Sequence, residues 1–118
     1  MKKVLLIEDN VDISEIYCKE LKYRGYDVKA VYTGKDGEEA FTSYVPDLTI
    51  LDLTLPDMSG VDVLKYLKGS NKLAKIIVLT NLDVPAVVNE VYAAGADGYI
   101  IKSQFLPSQI VDEVSRYL

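Results

Sequence analysis

The residues of this chain best suited to chemistry stand directly after short apolar runs. Glu8 and Asp9 follow the run 3–7, Asp52 follows 48–51, Thr80 follows 75–79 and Lys102 follows 98–101. Three carboxylates brought to one place repel one another and are costly to hold there unless protons or a cation neutralise them. A hard divalent cation suits them best. Magnesium takes a few carboxylate oxygens and fills its remaining positions with water, backbone carbonyl and phosphate oxygen. Lys102 adds a mobile positive charge and Thr80 a hydroxyl donor. Together these groups would share the charge on the equatorial oxygens of a phosphoryl group while the Asp52 carboxylate attacks phosphorus in line. The chain has no histidine, so it lacks the commonest acid/base residue and metal ligand. If the protein handles phosphate, a phosphohistidine donor must be another molecule.

Each of these residues taken alone has an ordinary explanation. Acidic residues after strands often cap helices, threonines end strands in turns, and most lysines are solvated charges. The pattern as a whole is harder to dismiss, because four runs end in groups that phosphoryl transfer needs. The remaining run, 26–31, leads to Thr33 with nothing comparable, as expected of a strand at a sheet edge.

The elements that must position these groups are legible as alternating units. Runs 3–7, 26–31, 48–51, 75–79 and 98–101 read as strands, three of them nearly continuous in apolar residues and so covered on both faces. Between them Ile13, Ile16, Tyr17 and Leu21 recur at helical spacing and stop at Gly25. Thr33 can cap a second helix containing 38–44 and ended by Pro46. A third helix begins near Gly60 with Val61, Leu64 and Leu67, and a fourth spans roughly 85–94 with Gly95 after it. The fifth starts at Pro107 and presents Ile110, Val111, Val114 and Leu118. Five βα units with right-handed crossovers predict an α/β, flavodoxin-like doubly wound sheet in the order 2-1-3-4-5, with helices on both faces. In such sheets ligands bind at the carboxyl ends of the strands, where the candidate residues stand.

The totals are consistent with one domain over 1–118, long enough for one core and too short for two. Hydrophobic residues make up 49% and charged residues 26%, a globular rather than disordered composition. The single cysteine, Cys18, excludes an intrachain disulfide, and the opening apolar run is interrupted at Glu8, short of a signal-peptide core. No run is long enough to cross a bilayer. A net charge of −5 opposes binding to nucleic acid or an anionic membrane through this domain. The expected setting is the cytoplasm, and the expected partners are proteins.

Leu-Ile-Glu-Asp at 6–9, Leu-Asp-Leu-Thr-Leu-Pro-Asp-Met-Ser-Gly at 51–60, Leu-Thr at 79–80 and Ala-Gly-Ala-Asp-Gly-Tyr-Ile-Ile-Lys at 94–102 resemble the motifs of response-regulator receiver domains, in order and at that family's spacing. The resemblance covers the whole chain. It implies that Asp52 is the phosphoacceptor and that Asp9 and Glu8 hold magnesium, directly and through water. It further implies a metal contact from the backbone carbonyl of Thr54, phosphoryl binding by Thr80 and Lys102, and a switch role for Tyr99. Pro56 and Gly60 would shape the loop after Asp52. Thr54 and Leu82 would flank the approach of hydrolytic water, and apolar Leu82 would slow it. Ile13, near the rim, is a candidate contact for the phosphodonor protein. Two departures stand out: Ser103 where the family usually has proline, and Asn81 where it usually has a small residue. A non-proline cis bond is costly, so the Lys102-Ser103 bond is expected to be trans.

The function this implies is a two-component switch that catalyses its own phosphorylation from a histidine kinase or histidine phosphotransfer protein and loses the group slowly. Its output surface would lie around the fourth helix, fifth strand and fifth helix, facing a downstream domain or protein. One rival is a magnesium-dependent phosphohydrolase with an aspartyl-phosphate intermediate. Enzymes resembling the haloacid-dehalogenase family usually carry a second acid two residues after the nucleophile, where Thr54 stands here, and a cap for which no residues remain. The other rival is a non-phosphorylated scaffold on the same fold. The sequence ends about where the fifth helix should end, so no output domain is expected within it.

Overall fold

A computed structural model describes all residues 1–118. The elements alternate as β1 (Lys3–Ile7), α1 (Val11–Tyr23), β2 (Asp27–Val31), α2 (Gly34–Tyr44), β3 (Leu48–Leu51), α3 (Gly60–Ser70), β4 (Ile76–Thr80), α4 (Pro85–Ala93), β5 (Gly98–Ile101), a 3-10 turn (Lys102–Gln104) and α5 (Pro107–Ser115). All strand pairs are parallel, and the sheet order is β2-β1-β3-β4-β5. The strands pair laterally where the sequence predicts, and the sheet reverses its winding between β1 and β3.

The alternation of side chains along each strand divides the core into two layers. Leu5 and Ile7 face one side, where they meet Phe41 of α2, Leu64 and Leu67 of α3 and Val91 of α4. Val4 and Leu6 face the other, against Tyr17 and Leu21 of α1 and Ile110, Val111 and Val114 of α5. β1, β3 and β4 are buried along nearly their whole length, whereas β2 at the edge is not. Continuous apolar runs therefore did mark strands covered on both faces.

Helix entry follows local chemistry. The Asn10 side chain accepts the Ile13 N–H at the start of α1, and Thr33 accepts the Asp36 N–H at the start of α2. Pro85 and Pro107 open α4 and α5 as first-turn residues. Gly25 and Gly95, both at positive φ, follow the ends of α1 and α4.

Several details differ from the sequence reading. Tyr26 lies outside β2, because its N–H closes the end of α1 onto the Leu21 carbonyl. Thr80 is the last residue of β4 rather than the residue after it, since its pairing with Ile101 extends the ladder. The buried face of α1 is Ser14, Tyr17 and Leu21, and Ile16 is 50% exposed. Helical spacing alone did not fix the phase of that face. On α3, Val61 is half-buried against the core as expected and Val63, which the stripe omitted, is fully buried beside it; α5 ends at Ser115, leaving Leu118 half-buried beyond it. The second helix begins at Gly34, immediately after its cap. The Lys102-Ser103 bond is trans, as expected.

Candidate functional site

The carboxyl edge of the sheet brings Glu8, Asp9, Asp52, Thr54, Thr80, Leu82, Lys102 and Ile13 to the wall of one cavity of about 300 Å³, together with Asn10 and Asn81. β1 delivers the first two. The Glu8 N–H donates to the Val31 carbonyl of β2 at 3.1 Å, so Glu8 points into the protein while the next residue, Asp9, is exposed. Asp52 is fixed at the end of β3 by its N–H on the Ile7 carbonyl at 2.9 Å and is 5% exposed. One carboxylate oxygen from each of Glu8, Asp9 and Asp52 lies within 4.8 Å of the other two. These are hard oxygen donors with one exposed member, an acidic cluster able to hold a metal ion.

Lys102 answers the charge problem posed by this cluster. Its ammonium contacts Asp52 Oδ2 at 2.9 Å and Glu8 Oε1 on the other side, so one cation bridges two buried carboxylates. Burial works against the charged lysine, but the contacts with Glu8 and Asp52 outweigh it and hold its pKa above the ordinary value. Glu8 responds in the opposite sense. Burial pushes its pKa up to about 7; the Lys102 hydrogen bond opposes that rise and the charge of Asp52 adds to it. The remaining Asp52 oxygen, Oδ1, accepts the Thr54 N–H at 3.2 Å. Thr80 is buried, and its hydroxyl oxygen accepts the Leu82 N–H at 3.4 Å, which leaves the hydroxyl proton free to donate.

The loop after Asp52 is held at both ends. Asp57 accepts the N–H groups of Gly34 and Lys35 at 2.8 and 2.9 Å, docking the loop on the N-terminus of α2. Those two bonds, Lys35 first, hold the Asp57 carboxyl below the usual carboxylate range. At the other end Gly60 presses against the chain it follows: a Cβ there would overlap Leu53 Cα and come within 2.7 Å of the Asp52 carbonyl. Only a residue without a side chain lets α3 begin this close to the end of β3. Sequence reasoning named Gly60 but missed Asp57 and Asn10. Asn10 was open to detection as the cap-forming residue before an apolar helix; its N–H also donates to Glu8 Oε2 at 3.2 Å.

Tyr99 on β5 is half-buried, and its hydroxyl donates to the Leu82 carbonyl at 2.5 Å, tying β5 to the loop after β4. Ile13 is half-buried against the core and also lines the cavity, so core packing and a place at the rim are combined in one side chain. Leu82 is 40% exposed, and it and Ile13 are the two apolar residues on the cavity wall.

A doubly wound parallel sheet with an acidic cluster, a buried hydroxyl and a bridging lysine at its carboxyl edge defines an α/β domain equipped to handle a phosphoryl group with a metal ion. The chain belongs to the response-regulator receiver-domain family, whose model matches residues 4–115. It is 31% identical over 116 residues to the chemotaxis protein CheY of Thermotoga maritima, covering 98% of this chain and 96% of that protein. It is also 35% identical over 97 residues to the regulatory protein LuxO of Vibrio parahaemolyticus; there it covers 82% of this chain but only 21% of the relative. Among solved structures, it superposes on a CheY-like receiver domain of Methanospirillum hungatei with a TM-score of 0.93 at 25% identity, covering 98% of this chain and 92% of that one. It also superposes on the chemotaxis response regulator CheY4 of Vibrio cholerae with a TM-score of 0.91 at 28% identity, covering 100% and 99%. The fold is thus shared by stand-alone relatives and by relatives about five times longer than the match. Receiver domains of this family act in two-component signalling with kinases and output partners, and neither the phosphohydrolase nor the scaffold reading is favoured. No helix is long and apolar enough to cross a membrane.

Proposed function

We propose that residues 1–118 form one receiver domain, working in the cytoplasm, that takes a phosphoryl group onto Asp52 from the phosphohistidine of a histidine kinase or histidine phosphotransfer protein. The observation that carries this reading is the environment of Asp52: a buried carboxylate 2.9 Å from the Lys102 ammonium, beside two further carboxylates and opening on a cavity that Thr80 also lines. In the transfer an Asp52 oxygen forms the new bond to phosphorus, and the bond from phosphorus to the donor imidazole nitrogen breaks with its electron pair left on nitrogen. Lys102 and the Thr80 hydroxyl neutralise and donate to the equatorial oxygens.

Magnesium is the cation that this donor set suits: Asp9 and Asp52 would hold it directly, Glu8 through water, and the Thr54 carbonyl would complete the protein's share, and when bound it would supply charge neutralisation for the incoming phosphoryl group. The Lys102 ammonium would then shift its hold from Glu8 toward the phosphoryl oxygens. Ile13, at the cavity rim, contacts the donor protein. Thr80 moving toward the phosphoryl group pulls the loop that carries Leu82, and with it the hydroxyl of Tyr99, which couples the site to an output surface on α4, β5 and α5 read by a downstream domain or protein. Leu82 places an apolar side chain where attacking water must pass, so the phosphorylated state decays slowly.

The test is incubation with magnesium and acetyl phosphate, followed by intact mass of the wild type and of Asp52→Asn. One added phosphate that depends on Asp52 supports the switch. Sustained turnover of the donor would favour the hydrolase, and no labelling the scaffold.

A further inference from the structure

The two positions where the chain departs from the receiver pattern touch each other. The β4–β5 ladder runs in register as far as Thr80 and Ile101. One residue beyond Thr80, the Asn81 side-chain oxygen accepts the Ser103 N–H at 3.0 Å, a contact between residues 22 positions apart. A side chain thus continues a ladder that the backbones have ended. Lys102 lies between its last ladder residue, Ile101, and the tethered Ser103.

We propose that Asn81 is a positioning residue for Lys102: by holding the Ser103 N–H it fixes the lysine backbone so that the ammonium reaches the Asp52 carboxylate and the phosphoryl group it receives. This rests on the reading of Asp52 as phosphoacceptor. Lysine is long and rotamer-rich, so its ammonium is placed only as well as the backbone from which it extends. The stretch Lys102–Gln104 is a 3-10 turn, closed by the Phe105 N–H on the Lys102 carbonyl at 3.3 Å. A proline at 103 would offer no N–H and would disfavour the helical backbone of the residue before it. Ser103 supplies the missing donor, and Asn81, in place of a small residue, supplies the acceptor. The two substitutions therefore work as a pair, and the serine contributes through its backbone.

The experiment measures the rate of labelling by acetyl phosphate with magnesium in wild type, Asn81→Ala, Ser103→Pro and the double variant, together with hydrogen exchange of the Ser103 amide by NMR. Asn81→Ala should lower the rate at saturating donor about tenfold, as expected for a misplaced catalytic group. Magnesium affinity should not fall, because Asn81→Ala keeps every metal ligand and only loosens the lysine that shares Glu8 and Asp52 with the ion. In the Ser103→Pro background, Asn81→Ala should cost nothing further, since the N–H it serves is gone. The Ser103 amide should be protected in wild type and exchange freely in Asn81→Ala. Equal saturated rates for wild type and Asn81→Ala, an equal loss in both backgrounds, or an unprotected Ser103 amide in wild type would each overturn the proposal. A wild type that takes no label would instead overturn the Asp52 reading, and the Ser103 amide would then decide the tie by itself.

Discussion

Raising the pH of the chelator-treated protein from 4.5 to about 7 should destabilise it, and Glu8 should be the reason. Its side chain is 2% exposed, and burial raises its pKa from 4.5 to about 7. Across that window the folded chain holds a proton that the unfolded chain has released. Stability from this group is therefore fully present below the unfolded value and is lost as pH rises through the folded one. At about 1.4 kcal/mol per pH unit of displacement, the loss is at most roughly 3 kcal/mol. The chain has no histidine, the Lys102 pKa lies above its ordinary value, and Asp57 lies below its own, so what Asp57 contributes is lost only as pH falls through that lowered pKa. Magnesium held at the cluster would favour the ionised carboxyl and release its proton, so saturating metal should flatten the slope. The assay is urea unfolding followed by circular dichroism across the window, in EDTA and in magnesium, for wild type and Glu8→Gln. Glu8→Gln should show little slope in either buffer. A flat wild-type profile in EDTA, or the same slope in Glu8→Gln, would refute the reasoning.

Gly60→Ala should cost about 1–3 kcal/mol in urea unfolding and slow labelling of Asp52, because the new Cβ meets backbone at Leu53 and Asp52 that cannot yield; an unchanged midpoint would show that the loop relaxes freely. Val45 holds φ 52 at the end of α2 with its side chain 65% exposed, so Val45→Gly should raise stability by roughly 1 kcal/mol, read as a higher urea midpoint. Leu82→Gln, if its amide orients the attacking water, should accelerate phosphate release from the purified phosphoprotein by up to about tenfold, equivalent to about 1.4 kcal/mol of transition-state stabilisation; an unaltered rate would place the gate elsewhere. Tyr99→Phe removes the hydroxyl bonded to the Leu82 carbonyl, and should leave labelling of Asp52 intact while reducing the amide shift changes that phosphorylation produces in α4, seen by NMR. Full-sized shifts in the variant would uncouple Tyr99 from the switch.

The elements and the site's membership were legible because both depend on short stretches of chain. β3 and β5 begin and end where their apolar runs do, Thr33 caps α2, and Pro85 and Pro107 open α4 and α5, since each signal acts within one turn or strand. Glu8, Asp9, Asp52, Thr80 and Lys102 could be named because strand ends in a doubly wound sheet share one edge. The phase of α1 could not. Ile13, Ile16, Tyr17 and Leu21 share helical spacing, yet the angle at which the helix meets the sheet buries Ser14 and exposes Ile16. Pairings across the chain were equally hidden. Lys102 reaches Glu8 and Asp52 only because β3 and β4 lie between β1 and β5, Asp57 finds the N-terminus of α2 only after the sheet has placed both, and Asn81 meets Ser103 only where two parallel strands finish side by side. Residue type determines what a side chain can do within its own turn or strand. Which distant partner it meets is decided by the order and register of the sheet, because those alone set the distance between residues remote in sequence.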